Sequence, residues 1–141
     1  MTSTSHGFVI VGASLAGAKA AETLRKEGFA GRVTLIGDEL HRPYERPPLS
    51  KGYLLGSAER ESVFVHPATW YAEHDVDLRL GTRATAVDAR GHEVHLADGD
   101  PLRYAALLLA TGSEPVRLTI PGADLEGGLQ RLAVLQPSQV A

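Results

Sequence analysis

The sequence predicts an α/β fold in which a parallel sheet is combined with a small antiparallel β-meander. Runs rich in β-branched and other apolar residues at 7–12 and 32–38 flank a helix-forming segment at 15–26, so the chain begins as β-α-β. A further apolar run, "YAALLLATG" at 104–112, has the composition of a strand that is buried on both faces of a parallel sheet. Because short strands and turn signals precede this last run, we expect a meander inserted before it.

The first helix is predicted from composition and periodicity. Residues 15–26 favour helix and place Ala16, Ala20 and Leu24 on one face, which is the face expected to pack on the sheet. Gly28 supplies a stop signal just beyond the last helical residue. The second β-branched run then follows and ends in an acid.

The segment "HRPYERPPLSKGYLLG" at 41–56 interrupts the regular pattern. Three prolines in its first half exclude a regular helix or a central strand there, and a short helix is expected over 49–55. A helix with Pro67 at its start is expected over 67–73. Short strands are predicted at 76–80, 83–88, 92–96 and 102–104, and the turn signals "ARGH" and "ADGD" make the last three the meander.

Size and charge set limits on the function. A chain of 141 residues fits one domain, and its net charge of -3 gives no electrostatic case for binding nucleic acid or an anionic membrane. The polar start "MTSTSHG" does not read as a secretory signal, and a cytoplasmic protein is expected. No metal site is expected, because His92 and His95 would point to opposite faces of one strand.

The turn after the first strand has the spacing of a phosphate-binding loop. In a G-x-G-x-x-G pattern of a Rossmann-like unit, Gly12 and Gly17 hold the first and third places, and Ser14 replaces the second glycine. The helix N-terminus behind this turn offers free N–H groups to an anion. Asp38 and Glu39 follow Gly17 by 21 and 22 residues, where a carboxylate accepts hydrogen bonds from an adenosine ribose. The alternatives are a glycine turn that serves packing and a solvated acidic loop.

The proline-rich segment carries three cations that could face an anionic or electron-rich ligand. These are Arg42, Arg46 and Lys51, held on a backbone that the prolines stiffen. A rigid surface loop with solvated cations is the alternative reading. The residues alone leave open which dinucleotide is bound.

The segment "PYERPPLSK" after "LIGDE" closely resembles the FAD-dependent ferredoxin and rubredoxin reductases of oxygenase and cytochrome P450 systems. The resemblance extends from about residue 8 to 126, and "RPPLSK" is its most specific part. "GASLAG" is also similar to that family's first turn, so Ser14 is a tolerated variant. The resemblance implies a glutathione-reductase-like fold, FAD as cofactor, NAD(P)H as co-substrate, and electron transfer to an iron–sulfur ferredoxin.

The resemblance also implies roles for individual residues. The first turn would line the pyrophosphate, the two acids would hold the ribose, and Ala84 would lie beside the adenine. Arg46 and Lys51 would approach the FAD, with Lys51 near the flavin as a cation that tunes its redox potential. No residue is assigned to catalysis and none to a metal. The cofactor-binding residues implied are Gly12, Ser14, Ala16, Gly17, Asp38, Glu39, Arg46, Lys51, Ala84, Ala110, Thr111 and Gly112.

The resemblance covers only part of such a reductase. Residues 1–127 are expected to form the N-terminal part of an incomplete FAD-binding domain, and 128–141 an atypical tail, with the NAD(P)H domain missing. The chain would then be a truncated reductase, a non-catalytic module that binds the ADP moiety of FAD or NAD, or a subunit completed by a chain that supplies the missing domains. Since the sequence has no cysteine, a flavin–disulfide mechanism is not expected of it.

Overall fold

The structure, a computed structural model, describes residues 7–113 and residue 121. These residues fall into two compact units. The first contains residues 7–45 and 64–111, and the second contains residues 46–63 with 112, 113 and 121. The tail predicted at 128–141 lies outside the described residues.

The first unit is built on a four-stranded parallel sheet and a three-stranded antiparallel sheet, as the α/β prediction requires. The described strands are β1 (Phe8–Val11), β2 (Val33–Ile36), β3 (Val76–Arg79), β4 (Ala84–Asp88), β5 (Glu93–Leu96), β6 (Leu102–Arg103) and β7 (Ala106–Leu109). The parallel sheet has the order β3-β2-β1-β7, and the meander has the order β4-β5-β6. The predicted fold class is therefore confirmed.

Strand β1 lies between two parallel neighbours, which explains its continuous apolar sequence. Phe8 is opposite Val33 of β2 and Ala106 of β7, and Val11 is opposite Ile36 and Leu109. The three strands therefore run in one direction and end at the same edge of the sheet. That edge carries the loops that follow β1, β2 and β7.

Helix α1 (Leu15–Lys26) covers one face of the sheet. Its Ala21 packs against Ile10 and Leu35, which are fully buried, in a cluster that also contains Tyr71. Ala20 and Leu24 of the predicted face pack against this cluster, whereas Ala16 is exposed. The buried positions of the helix are the small residues Gly17, Ala18 and Ala21, which allow the helix axis to approach the strands closely.

The meander covers the other face of the sheet. Val9 and Val11 of β1 alternate with Ile10 and contact the meander residues Val94 and Tyr104. Because alternate residues of β1 fill cores on opposite faces, the strand is buried on both sides. Its all-apolar sequence follows from this position.

The second unit differs from the prediction for 41–56. A 3₁₀ helix occupies Pro47–Ser50, followed by turns up to Gly56, whereas a helix over 49–55 was expected. The prediction was wrong because Pro47 and Pro48 begin the helix: the first helical positions need no N–H donor. A further 3₁₀ helix at Arg60–Val63 was not anticipated.

Helix α2 (Trp70–Glu73) is shorter than the expected helix over 67–73 and leads directly into β3. Arg25, near the end of α1, fixes the surrounding chain: its guanidinium donates hydrogen bonds of 2.6–2.8 Å to the carbonyl oxygens of Phe29, Gly31, His74 and Asp75. One side chain thus joins the end of α1 to the segments that lead into β2 and β3.

Strand β7 is an outer strand of the sheet in the part of the chain that the structure describes. Its sequence is entirely apolar, yet Leu108 and Leu109 are 37% and 59% exposed. Within the same described part, no helix is both long and apolar enough to cross a membrane.

Candidate functional site

The loop after β1 crosses the end of β7, and only glycine fits at the crossing. Gly12 has a φ of 118°, and a Cβ added there would overlap the carbonyl oxygen of Ala110. Its N–H donates a hydrogen bond of 2.8 Å to the carbonyl oxygen of Ile36, at the end of β2. Gly12 therefore draws the carboxyl ends of three strands together at the start of α1.

Helix α1 begins at this crossing with amide groups that have no intrahelical acceptor. Ser14 is its N-cap, and the first helical bond runs from the Ala18 N–H to the Ser14 carbonyl oxygen at 2.9 Å. The amides of residues 15–17 precede that bond. The Ser14 side chain makes no capping hydrogen bond within the described structure, so its hydroxyl does not occupy these donors.

Gly17 lets the first turn of α1 lie directly on the sheet. A Cβ on Gly17 would overlap the carbonyl oxygen of Gly12 and would lie 3.0 Å from Cδ1 of Leu35. Gly37, beyond β2, shows the same closeness, because a Cβ there would lie 2.6 Å from that of Ala13. The result is a close-packed glycine turn with an uncapped helix N-terminus, and the helix dipole favours an anion there by about 0.3–1 kcal/mol.

The two predicted acids follow β2 and have different surroundings. Oε2 of Glu39 accepts a hydrogen bond of 2.8 Å from the hydroxyl of Tyr44, a residue that is only 6% exposed. Asp38 extends further into solvent, with its side chain 58% exposed, and its Oδ2 lies 3.4 Å from Nη1 of Arg83. Glu39 is therefore held against the protein, whereas Asp38 faces outward beside a cation.

The turn between β3 and β4 is fastened to the segment that carries these acids. The Thr82 N–H donates to the Gly37 carbonyl oxygen at 2.8 Å, and the Gly81 N–H donates to that of Glu39 at 3.0 Å. Ala84, which was predicted to lie beside an adenine, begins β4 immediately after this turn and is half-buried. Arg83 and Ala84 are thereby placed next to the residues that follow β2.

The residues after β7 join the same edge. The Ala110 N–H donates a hydrogen bond of 2.7 Å to the carbonyl oxygen of Val11, so the β1–β7 pairing continues up to the glycine turn. Thr111 follows and is exposed. Gly112 has a φ of 73° and belongs to the second unit.

The two remaining predicted residues, Arg46 and Lys51, also lie in the second unit. Arg46 precedes the 3₁₀ helix, and Lys51 follows it, with its N–H donating to the Pro48 carbonyl oxygen at 3.0 Å. Both side chains are exposed. The third cation of the segment, Arg42, belongs to the first unit and has a packing role, because its guanidinium lies 3.6 Å from the centre of the Phe64 ring.

A separate cluster in the first unit contains the titratable residues His66 and Glu22 together with the ring of Trp70. The rings of His66 and Trp70 are stacked at 4.0 Å, and Nε2 of His66 lies 3.4 Å from Oε2 of Glu22 on α1. Burial lowers the pKa of His66, against the opposing charge of Glu22, while Lys19 and Lys26 hold the pKa of Glu22 at about 2. These residues tie α2 to α1 on the helix side of the sheet.

The first unit thus gathers nine of the predicted residues along one edge of the parallel sheet and at the start of β4. They are Gly12, Ser14, Ala16, Gly17, Asp38, Glu39, Ala110 and Thr111, with Ala84 beside the acids. Crevices at the carboxyl ends of parallel strands are where α/β sheets bind ligands. Within the described residues no group of three or more acidic and histidine side chains is arranged to hold a metal ion.

Two contacts to the acids were missed by the sequence reading. Tyr44 was treated as part of a cationic segment, although its hydroxyl holds Glu39, and Arg83 was passed over although its guanidinium lies by Asp38. Of these two residues, only Arg83 could have been identified from the sequence, because it is a basic residue directly before Ala84, the residue expected beside the adenine. The bond from Tyr44 to Glu39 depends on the course of an irregular loop.

Comparison with known proteins establishes the family. The family model of pyridine nucleotide-disulphide oxidoreductases matches residues 6–137, so the chain belongs to that family. Among curated proteins, the chain is similar to rhodocoxin reductase from Rhodococcus erythropolis, at 43% identity over 85% of this chain and 28% of the relative. It is also similar to the ferredoxin–NAD(+) reductase component of the biphenyl dioxygenase system from Paraburkholderia xenovorans, at 42% identity over 94% of this chain and 32% of the relative.

Solved structures have the same fold over the same part of the chain. The covalent putidaredoxin reductase–putidaredoxin complex gives a TM-score of 0.79 at 40% identity, covering 83% of this chain and 28% of the other. The ferredoxin reductase for the CYP199A2 system of Rhodopseudomonas palustris gives 0.78 at 37% identity, covering 85% and 30%. The chain spans 28–32% of the length of the first two curated relatives. Its 141 residues contain no cysteine, so the disulphide in the family's name has no counterpart in them.

Proposed function

We propose that this chain is the FAD-binding portion of an NAD(P)H-dependent ferredoxin reductase, an oxidoreductase that passes electrons from NAD(P)H through FAD to an iron–sulfur ferredoxin. The observation that supports this most is the crossing at Gly12, which places an uncapped helix N-terminus between the ends of β2 and β7. The chain's likeness to named ferredoxin reductases supplies the reaction class.

The glycine turn fits a pyrophosphate. The absence of a Cβ at Gly12 and Gly17 allows backbone to pack on backbone, and the amides of residues 15–17 are available as donors. Ser14 adds a hydroxyl that makes no capping bond among the described residues, and Ala16 is exposed on the first turn of α1. In this proposal these four residues line the pyrophosphate, and the helix N-terminus stabilises its charge.

The acids after β2 fit the adenosine ribose. Asp38 faces outward and would accept hydrogen bonds from ribose hydroxyls, whereas Glu39 is held by Tyr44 and would support the position of the loop. Ala84 would lie beside the adenine, and Ala110, Thr111 and Gly112 would pass the cofactor where β7 ends.

FAD, when bound, accepts a hydride equivalent and releases its electrons one at a time. The chain's own contribution at the flavin is Lys51, with Arg46, on a backbone that Pro47 and Pro48 stiffen. A cation at that place would stabilise the negative charge of the reduced ring and raise its reduction potential. No residue of this chain is assigned a catalytic proton or hydride transfer.

The proposal extends to the parts of the protein that this sequence does not contain. We place residues 1–127 in the N-terminal part of an FAD-binding domain and 128–141 in an atypical tail. NAD(P)H binding would require further domains, in a longer protein or in a partner chain, and a cytoplasmic location is proposed for the whole. The ferredoxin partner is proposed from the relatives' names.

The first experiment is to load the purified chain with FAD, remove the excess by gel filtration, and record the visible spectrum and flavin fluorescence. A stoichiometric yellow complex is expected. A folded, colourless protein that binds ADP would instead support the alternative of a non-catalytic ADP-binding module. A folded protein that binds neither ligand would refute both assignments.

Lys51→Ala tests the role proposed at the flavin. Removal of the charge should weaken FAD binding or lower the flavin reduction potential. A loss of about 1 kcal/mol in the stabilisation of the reduced flavin corresponds to about 20 mV in a two-electron couple. Arg60→Ala is the matched control, since Arg60 is an exposed cation in the same unit but outside the "RPPLSK" segment. Equal behaviour of the two variants in a potentiometric titration and in FAD binding would contradict the assignment.

A further inference from the structure

We propose that Arg83 is a positioning residue for the adenosine end of the cofactor and that it acts by orienting the Asp38 carboxylate. This inference rests on the proposed function, because it concerns the same dinucleotide site. Arg83 directly precedes β4, whereas the acid that it contacts follows β2.

Backbone hydrogen bonds bring Arg83 and Asp38 close together. The hydrogen bonds from Thr82 to Gly37 and from Gly81 to Glu39 fasten the β3–β4 turn to the chain on both sides of Asp38. Arg83 follows this turn directly, and its Nη1 lies 3.4 Å from Oδ2 of Asp38. The turn geometry therefore brings the two residues close enough for their exposed side chains to meet.

The pair is open to a ligand. The side chains of Arg83 and Asp38 are 73% and 58% exposed, so they can contact a ligand at this edge without a change in the fold. An exposed ion pair contributes only about 0.2–1 kcal/mol to stability, so a structural role explains little of its placement. A planar guanidinium beside one carboxylate oxygen leaves the other oxygen free to accept a hydrogen bond from a ribose hydroxyl.

The charge of Arg83 also matters for an anionic ligand. Two acids, Asp38 and Glu39, stand together after β2, and a pyrophosphate brought near them would be repelled. The guanidinium of Arg83 lies beside the outward-facing acid and offsets its charge. Without Arg83, Asp38 would be both less well oriented and more repulsive.

A double-mutant cycle on the full 141-residue chain tests this, with binding of FAD followed by flavin fluorescence and binding of ADP by calorimetry. Arg83→Gln should weaken the binding of both ligands by about threefold to fivefold at low salt, which is the upper part of the range that an exposed charge pair provides. In the Asp38→Asn background the same change should have no further effect, because Arg83 acts through that carboxylate. Arg83→Lys should restore the loss only in part, since it keeps the charge but not the planar fork.

Arg103→Gln is the matched control. Arg103 is a similarly exposed arginine, its Nε 2.9 Å from Oε1 of Glu93, on the β5–β6 pair of the meander. It should leave binding unchanged, and the effect of Arg83→Gln should fade between about 10 mM and about 500 mM salt. An unchanged affinity in Arg83→Gln, or additive losses in the double mutant, would overturn the role of Arg83 alone. A wild-type chain that binds neither FAD nor ADP would overturn the proposed function as well.

Discussion

Gly12 offers the sharpest test of how the glycine turn is built. Its φ of 118° is rarely adopted by residues with a side chain, and an added Cβ would overlap the carbonyl oxygen of Ala110. Gly12→Ala therefore combines backbone strain with a steric clash against the end of β7. Relief of the clash would also pull on the hydrogen bond from the Gly12 N–H to Ile36.

Gly28 separates these two effects. It also has a positive φ, 81°, but a Cβ built there meets no atom within 4 Å. Gly28→Ala should thus cost only the left-handed conformation, about 1 kcal/mol. Gly12→Ala should cost about 3 kcal/mol or more, because strain and displacement of packed backbone add together. For a chain of this size the two losses correspond to roughly 4 °C and roughly 12 °C in the melting temperature.

Thermal and urea unfolding, followed by far-UV circular dichroism, would measure both variants beside the wild type. FAD binding at a temperature where all three are folded would show whether the crossing also shapes the ligand site, and Gly12→Ala alone should lose affinity. The reasoning would be refuted if Gly12→Ala proved as mild as Gly28→Ala in both assays.

Two further outcomes follow from the cluster at His66 and from the outer strand β7. Burial lowers the pKa of His66 from its usual 6.5, so the unfolded chain binds the proton more tightly. The free energy of unfolding should therefore fall as the pH drops from 6.5 towards the folded pKa. His66→Phe should flatten this trend, as followed by far-UV circular dichroism, a signal that does not depend on the stacked Trp70 ring. Leu109 is 59% exposed on β7, and the chain should self-associate through this strand. Leu109→Lys should reduce the association in sedimentation experiments, and a wild type that is already monomeric would count against it.

Periodicity and composition predicted most of the fold. The β-α-β start and the meander appear close to their expected positions, because buried parallel strands need continuous apolar sequence. The last apolar run also forms a parallel strand, but the burial on both faces that its composition indicated was wrong, because β7 is an outer strand of the described sheet and Leu109 is 59% exposed. The face of α1 was misjudged at Ala16, since apolar spacing cannot tell which small residues allow close helix–strand contact. The helix expected over 49–55 was misplaced because proline was read as a breaker and not as a helix start.

The site was predictable where backbone geometry dictates residue type. Gly12 and Gly17 are required by overlaps that any side chain would cause, and such positions leave a clear trace in sequence. Contacts made by long side chains leave a weaker trace. Arg42 was grouped with the ligand-facing cations although its guanidinium packs on Phe64, and Arg83 was overlooked although it lies beside Asp38. Tertiary placement of a charged side chain depends on loops whose course local sequence does not specify.

The proposed roles divide between the two halves of FAD. The residues proposed to hold the pyrophosphate and ribose lie at the glycine turn and after β2, whereas Arg46 and Lys51 flank the 3₁₀ helix of the proline-rich segment. Changes at Asp38 should therefore weaken ADP and FAD alike, because both ligands contain the adenosine half. Changes at Lys51 should affect FAD and leave ADP unaltered, since only the flavin half would meet that side chain. Comparison of the two ligands on the same variants thus separates the family's general dinucleotide recognition from the part of the site that would make this chain a flavoprotein.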